Sequence, residues 1–129
     1  MNKFLKKVSF KTAIIMGNLF YFTTIMVHIL IFTHIIPQSW ISGGMVSSSE
    51  IQTQISIFNL VLSFVGLLFI QWANHSRESI TVRLVAMTFT VIWLVGLIMQ
   101  LLGTPFEKIF MSLVLLCGLV SHLRLSLND

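Results

Sequence analysis

The sequence predicts an all-α integral membrane protein: four transmembrane helices in an up-down-up-down antiparallel bundle with both termini cytoplasmic. Three observations predict it. The 129 residues are 56% hydrophobic and only 9% charged, against roughly 25% charged in soluble domains. The apolar residues fall into four runs of about 20 residues, the length that spans a hydrocarbon core of roughly 30 Å. Lys3, Lys6, Lys7, Lys11, Arg77, Arg83 and Arg124 gather on one side of these runs, and only Lys108 lies on the other. The positive-inside rule places the first side in the cytoplasm.

The first span covers about 12–36 and stops before Pro37, because the residue preceding a proline is pushed away from helical geometry. Its basic start is signal-like. The apolar run is longer than a signal h-region and no small-x-small cleavage site follows, so it reads as a retained span. The second span covers about 48–72, the third about 77–102 and the fourth about 105–127. Short connections favour sequential antiparallel neighbours. No repeat or linker divides the chain, so residues 1–129 form a single domain. Trp40 and Trp72 fall at span ends, where indole rings anchor at the interface.

The net charge of +4 does not indicate nucleic acid, since the charges flank apolar segments and no soluble domain carries a binding face. Cys117 is the single cysteine, so no intramolecular disulfide forms.

The four acids fall near helix starts or at the C-terminus. Ser47 and Glu50 match the capping box S-x-x-E, as do Thr104 and Glu107 with Pro105 at the first helical position. Ser76 caps a third helix with Glu78 in its first turn. The fourth acid is Asp129. No carboxylate remains in mid-membrane, which counts against proton- or cation-coupled transport. For Glu50, capping competes with a substrate or ion role.

Polar residues form stripes. The first span has Gly17, Tyr21, Thr24 and His28 at spacings of 4, 3 and 4. The second has Gln52, Ser56, Asn59, Ser63 and Gly66 in a heptad-like seam. Ala86, Thr90, Trp93 and Gln100 share a broad face of the third, and Gly118, Ser121 and His122 one of the fourth. Such stripes pack membrane helices through small residues and interhelical hydrogen bonds. The sharper alternative is that they line a polar cavity or small pore.

Counting residues from the span ends places His28, Asn59, Trp93 and Cys117 at a similar depth, somewhat outward of the bilayer centre. With Thr90 they form a candidate polar intramembrane layer, in which His28 and Asn59 approach each other. His34, Glu50 and Gln52 are candidate outer-mouth residues; Arg83 and His122 are candidate inner-side residues. A buried histidine is usually a neutral packing residue, although it can carry protons or bind metal. His28 and His34 are six residues apart and share no face, and no spacing resembles a metal site. No metal or cofactor is expected.

Catalysis has thin support: there is no G-x-S-x-G and no acid to orient a histidine. The chain reads as a non-enzymatic plasma-membrane protein acting by association with itself or a membrane partner. Its expected partners are the lipid bilayer and a second copy or another membrane protein, not nucleic acid. The alternative is a small-solute or ion transporter or channel working as a homo-oligomer through a polar path near His28 and Asn59.

Overall fold

A computed structural model of the chain describes residues 7–44 and 48–127. Lys3, Lys6, Ser47 and Asp129 lie outside the described residues. The described residues are helical, without strands: α1 Phe10–Phe32, α2 Ser49–His75, α3 Ile80–Leu102 and α4 Ser112–Leu125. A single π turn, Glu107–Met111, leads into α4. Two short 3-10 turns, Gln38–Trp40 and Ser42–Gly44, lie in the α1–α2 connection. Counting the π turn with α4, four helices among the described residues are long and apolar enough to cross a membrane.

The helix ends correct several expectations. α1 ends at Phe32, four residues before the predicted stop. The cause is local: His34 adopts φ 59°, its N–H donates to the Ile31 carbonyl, and Ile35 N–H donates back to the Leu30 carbonyl. This is a Schellman motif with His34 in the left-handed position that glycine usually takes. Thr33 reinforces it with a side-chain bond to Ile29 O. Pro37 instead begins the 3-10 turn of the following connection.

The second helix is capped by Ser48, whose hydroxyl accepts from Ile51 N at 3.3 Å. Glu50 is therefore the second helical residue, one position short of the acid that a capping box with Ser48 requires. α2 then continues three residues past the expected 72, to His75. Ser76 is consumed as its C-cap, with its N–H on Trp72 O. It cannot start α3, which begins only at Ile80, so Glu78 lies in the turn and not in a helix's first turn. The Thr104–Glu107 box forms as expected. Glu107 N–H donates to Thr104 Oγ1 at 3.3 Å, and Glu107 Oε2 accepts from Thr104 N at 2.7 Å. The expected fourth span, 105–127, gains the π turn, where Ser112 Oγ and N–H both bond Glu107 O, and its helix ends at Leu125.

α1 packs on α2 and on α4, and α3 packs on α4; α2 and α3 approach each other less closely than any of these pairs. Glycines allow the close contacts. A Cβ on Gly66 would sit 2.0 Å from the Tyr21 ring, and one on Gly118 would sit 2.7 Å from the Phe20 ring. The resulting core is aromatic: Phe20, Tyr21, Phe69, Phe89 and Trp93 surround His122. Phe20–Tyr21 centroids lie 4.7 Å apart and Phe20–Trp93 centroids 4.9 Å apart in an edge-on contact. Tilted and edge-on pairs at this range exceed their area burial by about 0.5–1.5 kcal/mol.

Overpacking a filled core costs about 1–3 kcal/mol, so Gly66→Ala lowers stability by at least that amount. Gly96→Ala meets its nearest neighbour, Leu115, at an ordinary 3.5 Å, and leaves stability within about 0.5 kcal/mol while improving helix propensity. Denaturant unfolding of both variants in micelles checks the contrast.

Candidate functional site

The polar residues divide into two groups at different levels of the bundle. The first is saturated with hydrogen bonds. His122 Nδ1 lies 2.7 Å from Gly118 O, one turn back on its own helix. A carbonyl only accepts, so Nδ1 carries a proton, and the neutral ring presents Nε2 as an acceptor. Tyr21 O–H donates to that nitrogen at 2.9 Å. The same hydroxyl oxygen accepts from Trp93 Nε1–H at 3.3 Å. One chain of donors thus ties α3, α1 and α4 together, with Tyr21 and His122 wholly buried. Ser121 Oγ adds a bond to Ala13 O at 2.7 Å.

The second group lines a cavity of about 280 Å³. α1 contributes Thr24 and His28, α2 contributes Gln52 and Asn59, α3 contributes Trp93 and Gln100, and Glu107 enters from the π turn. The α1–α2 connection also supplies wall residues, Ile41 to Gly43. That connection is built for the task. Ser42 and Gly43 have φ 53° and 65°, and Gly44 N–H bonds Ile41 O, the pattern of a type I′ turn. The turn directs Gly43 N–H onto Glu107 Oε2 at 3.0 Å. Ser42 Oγ donates to Gln52 Oε1 at 3.1 Å, and Gln52 donates on to Ser56. Thr104 Oγ1 donates to Trp40 O, and Trp40 packs on Phe106. One buried carboxylate therefore holds the start of the fourth helix to the connection. Charge-assisted bonds of this kind run about twice the strength of neutral ones.

The cavity differs from the aromatic core in leaving polar atoms unused. His28 is 9% exposed, and its Nδ1 has no hydrogen-bond partner among the described residues; Gln100 Oε1 is in the same position. Asn59 and Thr24 turn their donors onto carbonyls of their own helices, at Ile55 and Phe20.

His28, Asn59, Trp93 and Gln52 thus line one cavity. Thr90 and Cys117 do not: Thr90 Oγ1 bonds Ala86 O, and Cys117 Sγ faces Met16 O at 3.5 Å in the α1–α4 seam. His34 and Glu50 are exposed and outside the cavity. Arg83 is half-buried in the first turn of α3, with Nε unpartnered among the described residues. His122 belongs to the aromatic core. Sequence reasoning did not assign site roles to Tyr21, Gln100 or Glu107. Tyr21 is the only tyrosine and sits in the first-span stripe, which was a usable signal. Glu107 read only as a cap, because nothing local reveals that Gly43 comes to it from 64 residues away.

Chemically, the cavity can hold a ligand. It presents acceptors and apolar wall. Compared with protein families, curated proteins and solved structures, the chain matches none.

Tyr21→Phe removes the one oxygen that serves both Trp93 and His122. It leaves two buried polar atoms unpaired, each costing about 1–3 kcal/mol, and so lowers stability by roughly 2–6 kcal/mol. Replacing Glu107 by Ala strips two acceptor contacts at once and, at about 1.5–3 kcal/mol for bonds to a charged group, loosens the connection first. Amide exchange at Gly43 and Thr104 then accelerates while the aromatic core stays protected.

Proposed function

We propose that this chain is a small multi-pass membrane protein, non-enzymatic, that acts by association with itself or with a membrane partner. Its helices run up-down-up-down with both termini in the cytoplasm, as the Lys and Arg distribution favours. One observation supports the reading: Tyr21, Trp93 and His122, one residue from the polar stripe of each of α1, α3 and α4, are joined in a closed, buried hydrogen-bonded core. Stripes used this way specify packing, which is what polar residues ordinarily do between membrane helices. α3 has only 17% of its apolar window buried, against 44% for α1. It offers an exposed apolar face to lipid or to a partner, through residues such as Leu84, Met87, Val91 and Leu94.

A second reading, transport by a homo-oligomer, is favoured by the cavity around His28 and Asn59. It requires the aromatic core to open or an oligomer to supply the rest of the path.

Crosslinking in native membranes is expected to trap a discrete complex containing a second copy or one stoichiometric membrane protein. A monomer throughout, with solute flux in proteoliposomes, overturns the association reading. Topology has its own check: in a Cys117→Ser background, Ser39→Cys reacts with an impermeant maleimide added outside the cell and Leu127→Cys does not.

A further inference from the structure

We infer that the cavity enclosed by α1, α2, α3, the α1–α2 connection and the start of the fourth span is a binding site for a small amphiphilic cation, a primary ammonium on an apolar body. The inference does not rest on the association reading. Its first support is charge. Among the described residues that line it, Glu107 is the one carboxylate, and neither Lys nor Arg is present. Glu107 is 5% exposed, so its charge is not dispersed in bulk water. Its Oε2 already accepts from Thr104 and Gly43, and a carboxylate with about four lone-pair sites has acceptor capacity left.

The second support is the unused polar atoms. Gln100 Oε1 is an acceptor without a partner, and so is His28 Nδ1 when the ring proton lies on Nε2. Buried polar groups are nearly always satisfied, and exceptions need an explanation. An ammonium group carries three donors and no acceptor. Glu107, Gln100 and His28 supply three acceptors from three separate elements around one space. An anion would meet the opposite: a carboxylate and a bare carbonyl oxygen.

The third support is the wall. Val27, Ile31, Met99 and Leu115 line the same cavity and give the ligand's body an apolar surface. A volume of about 280 Å³ admits on the order of ten non-hydrogen atoms, at roughly 20–30 Å³ each. It lies close to the lower end of ordinary ligand pockets.

The test uses the full chain in lipid nanodiscs, with empty nanodiscs to subtract partition into lipid. Three probes share one body: 4-phenylbutylamine, the uncharged 4-phenylbutanol and the anionic 4-phenylbutanoate. Saturable binding of the amine is expected, with the alcohol weaker by about tenfold or more and the acid undetectable. Gln100→Met keeps the side-chain volume and touches no bond of the outer connection, so it decides the site. It is expected to weaken amine binding by about tenfold, the ordinary loss for one buried bond to a charged group, with unchanged unfolding. Glu107→Gln is expected to weaken it further, but it also disturbs the connection. The proposal is overturned if amine binding equals that of empty nanodiscs, if alcohol and amine bind alike, or if Gln100→Met binds as the parent does.

Discussion

The Tyr21 hydroxyl is the point on which the arrangement of the helices turns. In a bilayer no water is available to a stray donor, so each buried polar group must be answered within the protein. Tyr21 answers two at once, taking the Trp93 proton and giving its own to His122. The direction of this chain is set by Gly118 O, which holds the proton on His122 Nδ1. Three helices are thereby fixed in rotation as well as separation, because each side chain reaches its partner from only one face. The ring needs space, and Gly66 on α2 provides it. All four helices thus take part in seating a single side chain.

Filling one level of the bundle this fully has a consequence at the next. α2 and α3 meet through Phe69 and Phe89, whose centroids are 5.4 Å apart, yet their backbones do not come together as the other pairs do. Around Gln52, Asn59 and Gln100 the space between them stays open. Trp93 belongs to both levels: its indole N–H serves Tyr21 while its ring lines the cavity. Trp93 therefore ties one side of the cavity to the core. The α1–α2 connection depends instead on Glu107, Gln52 and Thr104.

Much of this was legible in the sequence, and the limits have physical causes. The stripe Gly17, Tyr21, Thr24, His28 is buried throughout, because helical periodicity fixes which residues share a face. The Thr104–Glu107 cap was readable because its two partners lie within one turn. Periodicity does not say which neighbour a face meets, so the bond between His122 and Tyr21 could not be read from the sequence. Helix ends failed where competition decided them. Ser76 matches an N-cap, yet α2 uses it first as a C-cap. His34 takes the left-handed position at the end of α1, where a glycine would have announced the stop. The contact of Gly43 with Glu107 joins distant segments, and no local pattern encodes it.

The placement of Glu107 joins these observations. A buried carboxylate is costly in hydrocarbon, and its cost is least where a helix begins, since free amides and the positive end of the helix dipole face it there. Glu107 has that position and gains a further amide from Gly43. The same placement turns the acid toward the cavity, which a purely structural cap on an exposed helix end would not do. The Tyr21 hydroxyl, the Trp93 indole N–H and the His122 ring are matched donor to acceptor, although Ser63 Oγ on α2, outside the cavity, has no partner among the described residues. The polar atoms in the cavity are not matched, although the chain had the means to match them, as Asn59 and Thr24 show by bonding carbonyls of their own helices. Packing therefore accounts for the first group, and the second is organised around a space that the protein itself does not fill.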